Sequence, residues 1–254
     1  MANDYQKINT LFLRDENNVI MPDTFTCAEF EYLKDTKWEC TEKIDGTNIH
    51  IDILFERFKE EDGGTSREEL TITYNGRTSK AQIPAHLHSK LCEIFGKVDF
   101  GTIFHDSIQS TRDNDEDSLL ISIYGEGYGV KIQKGGNYIK DDCGFILFDV
   151  RVGKWWLDRH ACEVIAELLN VPIVPLIGYF TIPEAIEFVK KGFKSTIAQN
   201  PDYDAEGLVL KTPCGLNFRN GQRIITKIKT CDFQKYRARY GEGSVKQTPN
   251  PHYK

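Results

Sequence analysis

Thr41-Glu42-Lys43-Ile44-Asp45-Gly46-Thr47-Asn48 sets a lysine between two carboxylates, directly ahead of a glycine. An amine attacks only when neutral. A free lysine titrates near ~10.4, so a nucleophilic one needs burial or cationic neighbours that disfavour its charge. Glu42 and Asp45 favour that charge, so help has to come from other lysines or a bound metal ion elsewhere in the chain. Gly46 permits a positive φ or a close backbone approach. Beyond it, Thr47 to Phe55 sets Ile49, Ile51 and Ile53 against Asn48, His50 and Asp52, the period-two pattern of a half-buried strand. Taken alone, K-x-D-G also describes a surface lysine at a strand start.

Upstream, Ile8, Leu11 and Leu13 predict a short strand, and Thr26-Cys27-Ala28-Glu29 has the capping-box spacing of a helix running through Phe30 and Leu33. Downstream, Glu60 to Gly64 is a polar turn. Leu70 to Tyr74 is a returning strand that ends on Asn75-Gly76, a hairpin signal, with Arg77 directly behind it. Leu87, Leu91 and Phe95 predict a helix over Ala85 to Phe95 closed by Gly96; His86 and His88 then point apart, as surface residues. Asp113 to Asp117 is an acidic loop.

Leu119 to Tyr124 is a buried strand that runs into Gly125-Glu126-Gly127-Tyr128-Gly129, where the glycines suggest a backbone approached by ligand and Glu126 a carboxylate that reaches it. Gly144 to Val150 is an apolar strand carrying Phe148 and Asp149. Helices are expected over Arg159 to Leu169 and Pro183 to Lys191, the second with a capping box from Thr181 to Glu184 and a closing Gly192. Asp204 to Lys211 combines Glu206, a glycine and an apolar strand ending on Lys211. Ile224 to Lys229 alternates, so Lys227 and Lys229 share a strand face, where they repel unless an anion lies between them.

A chain of 254 residues with 40% hydrophobic and 11% aromatic content has enough material for one large domain or two small ones. No apolar run approaches ~18 residues, and Met1 to Thr10 has no h-region, so neither membrane nor secretion is expected. Seven scattered cysteines without a C-x-x-C pair read as reduced thiols, which points to the cytoplasm. A net charge of -6 argues against coating nucleic acid by bulk charge. A local patch remains: Arg223, Lys227, Lys229, Lys235, Arg237 and Arg239 face only Asp232 within their window, and the last three serve equally as a solvated helix face.

In order, KIDG at 43–46, YGEGYG at 124–129, FDV at 148–150, EGLVLK at 206–211 and KIK at 227–229 resemble the motifs of the covalent nucleotidyltransferases, the polynucleotide ligases and capping enzymes. The run EKIDGTN is most similar to ATP-dependent RNA ligases of the RNA ligase 2 and RNA-editing ligase branch, although RNA ligase 2 has histidine where this chain has Asp45. The resemblance implies an α+β nucleotidyltransferase (adenylation) domain over residues 1–240, with antiparallel sheets enclosing a nucleotide pocket, and a loose tail over 241–254. The stretch after Lys229 is too short for the C-terminal OB-fold of DNA ligases and capping enzymes.

The same resemblance implies that Lys43 takes AMP from ATP, with Mg²⁺ or Mn²⁺, and passes it to a 5′-phosphate end for joining to a 3′-hydroxyl. By this likeness Phe148 stacks on adenine, Glu126 binds the ribose hydroxyls, and Arg77 contacts the nucleotide and the end to be joined. Glu206 places the metal, Lys227 and Lys229 contact the α-phosphate, Lys211 assists later steps, and Glu42 and Asp45 belong with the nucleotide. The implied partner is nicked or end-aligned RNA, as in RNA repair, with the oligomeric state open. A minimal DNA ligase or guanylyltransferase is the enzymatic alternative, and a catalytically silent nucleotide-binding module the non-enzymatic one.

Overall fold

A computed structural model describes residues 4–58, 67–78, 81–114, 116–133 and 138–241. The described chain is a mixed α+β structure that divides into two compact units, residues 4–5 with 45–174, and residues 6–44 with 175–241. The turn expected at Glu60 to Gly64 and the tail beyond Gly241 lie outside the described residues.

Residues 6–44 lay down β1 (Asn9–Thr10), β2 (Phe12–Arg14), β3 (Ile20–Phe25), the five-residue helix α1 (Ala28–Tyr32) and β4 (Trp38–Glu42). The capping box expected at Thr26 does not form. Cys27 is the N-cap and makes no side-chain cap, because the Thr26 hydroxyl donates to the Thr10 carbonyl at 2.7 Å instead. Lys43 stands just past the end of β4 rather than at the start of the next strand.

Residues 45–174 form β5 (Thr47–Phe58), β6 (Arg67–Gly76), the helices α2 (Ala85–Phe95), α3 (Phe100–Ile103) and α4 (His105–Asp113), then β7 (Ser118–Gly129), β8 (Cys143–Val152), β9 (Trp155–Trp156) and α5 (Arg159–Leu168). The strands make one antiparallel sheet in the order β6-β5-β7-β8-β9. Its apolar face carries Ile49, Ile51, Ile53, Ile121, Ile123, Phe145 and Leu147, and α2 covers that face with Leu87, Leu91 and Phe95. Each large side chain enclosed in this way contributes about 1.5–3 kcal/mol relative to exposure.

Four expectations are corrected in this unit. Asn75-Gly76 makes no turn; the two are the last paired residues of β6, with Gly76 opposite Ile49. Asp113 ends α4 instead of opening a loop, and that helix left no periodic signal because it buries none of its residues. The glycine run 125–129 continues β7, and its glycines make room for the core: a side chain at Gly125 would strike the Phe145 ring, and one at Gly127 would strike Leu87. His50 lies on the polar face yet is only 1% exposed, tilted against the Tyr124 ring at 5.6 Å, so β5 is covered on both faces there.

That second face also bears Asn48, Asp52, Ser122 and Glu126. Along β7 and β8 the pairing runs Tyr124 with Asp149 and then Gly125 with Leu147, so Phe148 is the additional residue of a β-bulge.

Residues 175–241 return as β10 (Leu176–Phe180), α6 (Ile182–Lys191), β11 (Gly207–Lys211), β12 (Ile225–Lys229) and α7 (Thr230–Tyr240). The sheet order is β1-β12-β11-β4-β10, antiparallel except for β1 with β12. The capping box from Thr181 to Glu184 forms as the sequence predicts. Trp38, Cys40, Leu208, Leu210 and Ile228 face Ile182, Ala185 and Val189 of α6 and Phe233 of α7. By register, the opposite face carries Glu39, Thr41, Val209, Lys211, Lys227 and Lys229. The basic window therefore splits. Arg223 is buried, Lys227 and Lys229 are half-buried on β12, and only Lys235, Arg237 and Arg239 are exposed, on α7.

Candidate active site

Lys43 is held against β11 by its own N–H, which donates to the Gly207 carbonyl at 2.9 Å. Gly207 has φ 152° and pairs with Lys229; any side chain there would strike the Ile228 carbonyl. Only glycine lets β11 and β12 close at this point. Glu206 precedes it, and the Glu206 carbonyl accepts from the Thr230 N–H at 2.9 Å. Its carboxylate then bridges two lysines: Oε2 accepts from Lys43 Nζ at 2.5 Å, and Oε1 from Lys229 Nζ at 2.6 Å. Side-chain exposures of 19% for Lys43, 15% for Glu206 and 30% for Lys229 keep most solvent from these pairs, so they are screened less than surface pairs.

Lys227 lies on the same sheet face, opposite Val209, and has no hydrogen-bond or ion-pair partner among the described residues. Burial, and then the charges of Lys43 and Lys229, pull its pKa below the usual lysine value. Burial acts the same way on Lys229, but the hydrogen bond and charge of Glu206 outweigh it and raise that lysine's pKa. Three cations surround one carboxylate. Such a cluster lacks negative charge and is fitted to take up an anion.

Glu42 is not part of this cluster. It lies on the apolar side of β4, 1% exposed, and both its oxygens are occupied: Oε1 accepts from the Ser195 hydroxyl at 2.5 Å, and Oε2 from the Thr196 N–H and hydroxyl at 3.0 Å each. Ser195 and Thr196 left no signal in the sequence, because they lie outside every motif and strand. Lys211 is on the lysine face, half-buried and opposite Glu39.

In the other unit, the Asp45 N–H donates to the Tyr138 hydroxyl at 2.9 Å and its side chain is half-buried. Glu126 is half-buried and pairs directly with Asn48, whose Oδ1 is a buried acceptor with no hydrogen bond among the described residues. Phe148 is half-buried, with its ring 5.0 Å from that of Tyr5. Arg77 is exposed directly after Gly76. Register thus pairs Asn48 with Glu126 on the polar face of one sheet, Phe148 stands at the bulge between β7 and β8 with its ring against Tyr5, and Arg77 follows the end of β6.

No group of three or more His, Cys, Asp or Glu side chains forms a ready-made metal cage among the described residues. Glu206 has a lysine on each oxygen, so a divalent ion of the Mg²⁺ kind, which keeps several waters and takes one or two carboxylates, would fit there only together with the substrate phosphates that offset these charges.

Three lysines thus share one carboxylate on an α+β scaffold. The chain belongs to the RNA ligase family, whose model matches residues 36–229. Among solved structures it is similar to the Naegleria gruberi RNA ligase with PPi, at 17% identity and a TM-score of 0.51, over 93% of this chain and 59% of that one. A mutant of that ligase with ATP and Mn gives 17% identity and a TM-score of 0.52, over 93% of this chain and 62% of that one. A mutant with AMP and Mn gives 16% and 0.53, over 91% and 57%. At such identities the likeness is one of fold. The chain spans about three-fifths of the length of these ligases.

Proposed function

We propose that this chain is an ATP-dependent RNA ligase that works through a lysyl-AMP intermediate on Lys43. The observation that carries the reading is the contact between Lys43 Nζ and Glu206 Oε2 at 2.5 Å, with Lys229 on the other oxygen and Lys227 beside them without a partner among the described residues. In this reading residues 1–240 act as a nucleotidyltransferase domain.

Lys43 Nζ forms a bond to the α-phosphorus of ATP as the bond from that phosphorus to pyrophosphate breaks. Attack requires the unprotonated amine, and Glu206 Oε2 is the acceptor within reach of its proton. Lys227 and Lys229 offset the negative charge that grows on the phosphoryl oxygens and on departing pyrophosphate, where fixed cations act more strongly than in water. Glu206 would hold a Mg²⁺ or Mn²⁺ ion, which supplies charge neutralisation to the phosphates. A 5′-phosphate oxygen of the RNA then displaces Lys43 from the AMP phosphorus, and a 3′-hydroxyl displaces AMP in turn. Lys211 assists these later steps.

Phe148 is proposed to stack on adenine, Glu126 to bind the ribose hydroxyls, and Arg77 to contact nucleotide and RNA end. Asp45, with its backbone held by Tyr138, belongs with the nucleotide. Glu42 acts through the 195–196 segment that it holds. Lys235, Arg237 and Arg239, with Lys191 at the end of the neighbouring α6, form a contact for RNA phosphates; the Arg237 guanidinium donates to the Lys190 carbonyl at 3.4 Å, which ties the two helix ends together.

Intact mass after incubation with ATP and Mg²⁺ tests the reading. An AMP adduct on Lys43 is expected. No adduct on any residue overturns the enzyme assignment, and an adduct from GTP but not ATP makes the chain a guanylyltransferase.

A further inference from the structure

Tyr5 lies far from the motifs in sequence and outside residues 36–229, yet it packs with the unit formed by residues 45–174 and not with the residues that follow it. Its side chain is 5% exposed. The hydroxyl donates to Asp149 Oδ2 at 2.5 Å, and Asp149 is itself 2% exposed. The ring meets three others: Tyr124 at 5.1 Å, Phe148 edge-on at 5.0 Å, and Trp156 edge-on at 5.8 Å.

Phe148 is the additional residue of the bulge between β7 and β8, where the ladder is interrupted, so its direction is set by whatever packs on it. Tyr5 touches it directly and also binds the residue that follows it. We propose that Tyr5 is a positioning residue for Phe148: through its ring and its bond to Asp149 it fixes the bulge that presents Phe148, and so sets the affinity for the adenine base. This inference rests on the adenine-stacking reading above. A ring held in place before the base arrives loses less freedom on binding, an effect of about two- to tenfold in affinity.

The test follows the rate of AMP transfer to Lys43 against ATP concentration in the full chain. Tyr5→Phe keeps the ring and removes the hydroxyl; it is expected to raise the half-saturating ATP concentration about fivefold and leave the plateau rate within about twofold. Asp149→Asn, a weaker acceptor of equal size, is expected to shift it in the same direction and serves if Tyr5→Phe is unstable. In a Phe148→Ala background Tyr5→Phe should add nothing, because the ring it positions is gone.

If Phe148→Ala raises half-saturation but neither Tyr5→Phe nor Asp149→Asn does, the positioning role is overturned. It is also overturned if the effects of Tyr5→Phe and Phe148→Ala multiply, or if only the plateau falls. Should Phe148→Ala itself leave half-saturation unchanged, the stacking reading fails first, and the inference falls with it.

Discussion

Lys43 and Lys229 are bound to the two oxygens of the same carboxylate, that of Glu206. Neither lysine is needed to bury apolar surface, and Glu206 keeps one partner when the other is removed. Lys43→Ala should therefore keep its melting temperature within a few degrees while losing the AMP adduct completely. Intact mass and a thermal melt check both halves. An adduct on the variant would place the nucleophile elsewhere.

Lys227 is a half-buried cation without a partner among the described residues, flanked by two more cations. Lys227→Met should raise the melting temperature by about 2–4 °C, the effect of roughly 1 kcal/mol in a chain of this size. It should also slow AMP transfer about a hundredfold or more. The sign in pH follows from the lowered pKa. The cost of charging Lys227 in the folded state is fully present below its lowered pKa and disappears as pH rises towards the free-lysine value. The stability gap between wild type and Lys227→Met should accordingly narrow from neutral pH towards about pH 10. A gap that widens would mean that the native state favours the charged lysine.

Phe148→Ala should weaken ATP use by ~1–3 kcal/mol, the usual size of base stacking on an aromatic ring. Phe148→Leu should weaken it less, and Phe148→Tyr least, since the ring is kept. Steady-state adenylylation against ATP concentration reads the order. Equal losses of stability in all three variants with unchanged ATP affinity would make Phe148 a packing residue only.

Replacing Lys235, Arg237 and Arg239 together should slow sealing of an RNA nick and flatten its salt dependence, by ~0.9 in log–log slope for each duplex phosphate that is no longer neutralised. Adenylylation of Lys43 should hardly change. Sealing time courses at two salt concentrations, on an RNA nick, a DNA nick and unpaired RNA, provide the comparison. The pre-aligned RNA nick should be sealed faster than unpaired RNA. A DNA nick sealed faster than the RNA nick would sink the RNA assignment.

The shared face of Lys227 and Lys229 was legible in the sequence because a local rule governs it, whereas their meeting with Lys43 and Glu206 was expected only from the family resemblance. Alternation put the two lysines on one face, but the close approach at Gly207, which register places opposite Lys229, was not read from the glycine that follows Glu206. The helix of Leu87, Leu91 and Phe95 was legible for the same reason. What escaped depended on meetings between distant segments. Tyr5 binds Asp149, and Glu42 binds Ser195 and Thr196, and no periodicity reports such pairs. The packing role of Gly125 and Gly127 was not legible because a glycine that admits a neighbouring side chain looks the same in sequence as one that admits a substrate. The bulge at Phe148 is a matter of pairing count, which only the partner strand reveals.

The discontinuous make-up of the lysine-bearing unit, residues 6–44 closed by residues 175–241, also governs the order in which a growing chain becomes competent. Lys43 leaves the ribosome well before Glu206, Lys227 and Lys229, and β4 has neither of its neighbours in the sheet, β10 or β11, until they have been made. Residues 45–174 can collapse around their own core in the meantime. During synthesis, therefore, Lys43 lacks its contacts with Gly207 and Glu206, and the proposed site is complete only once β12 has emerged and joined the sheet.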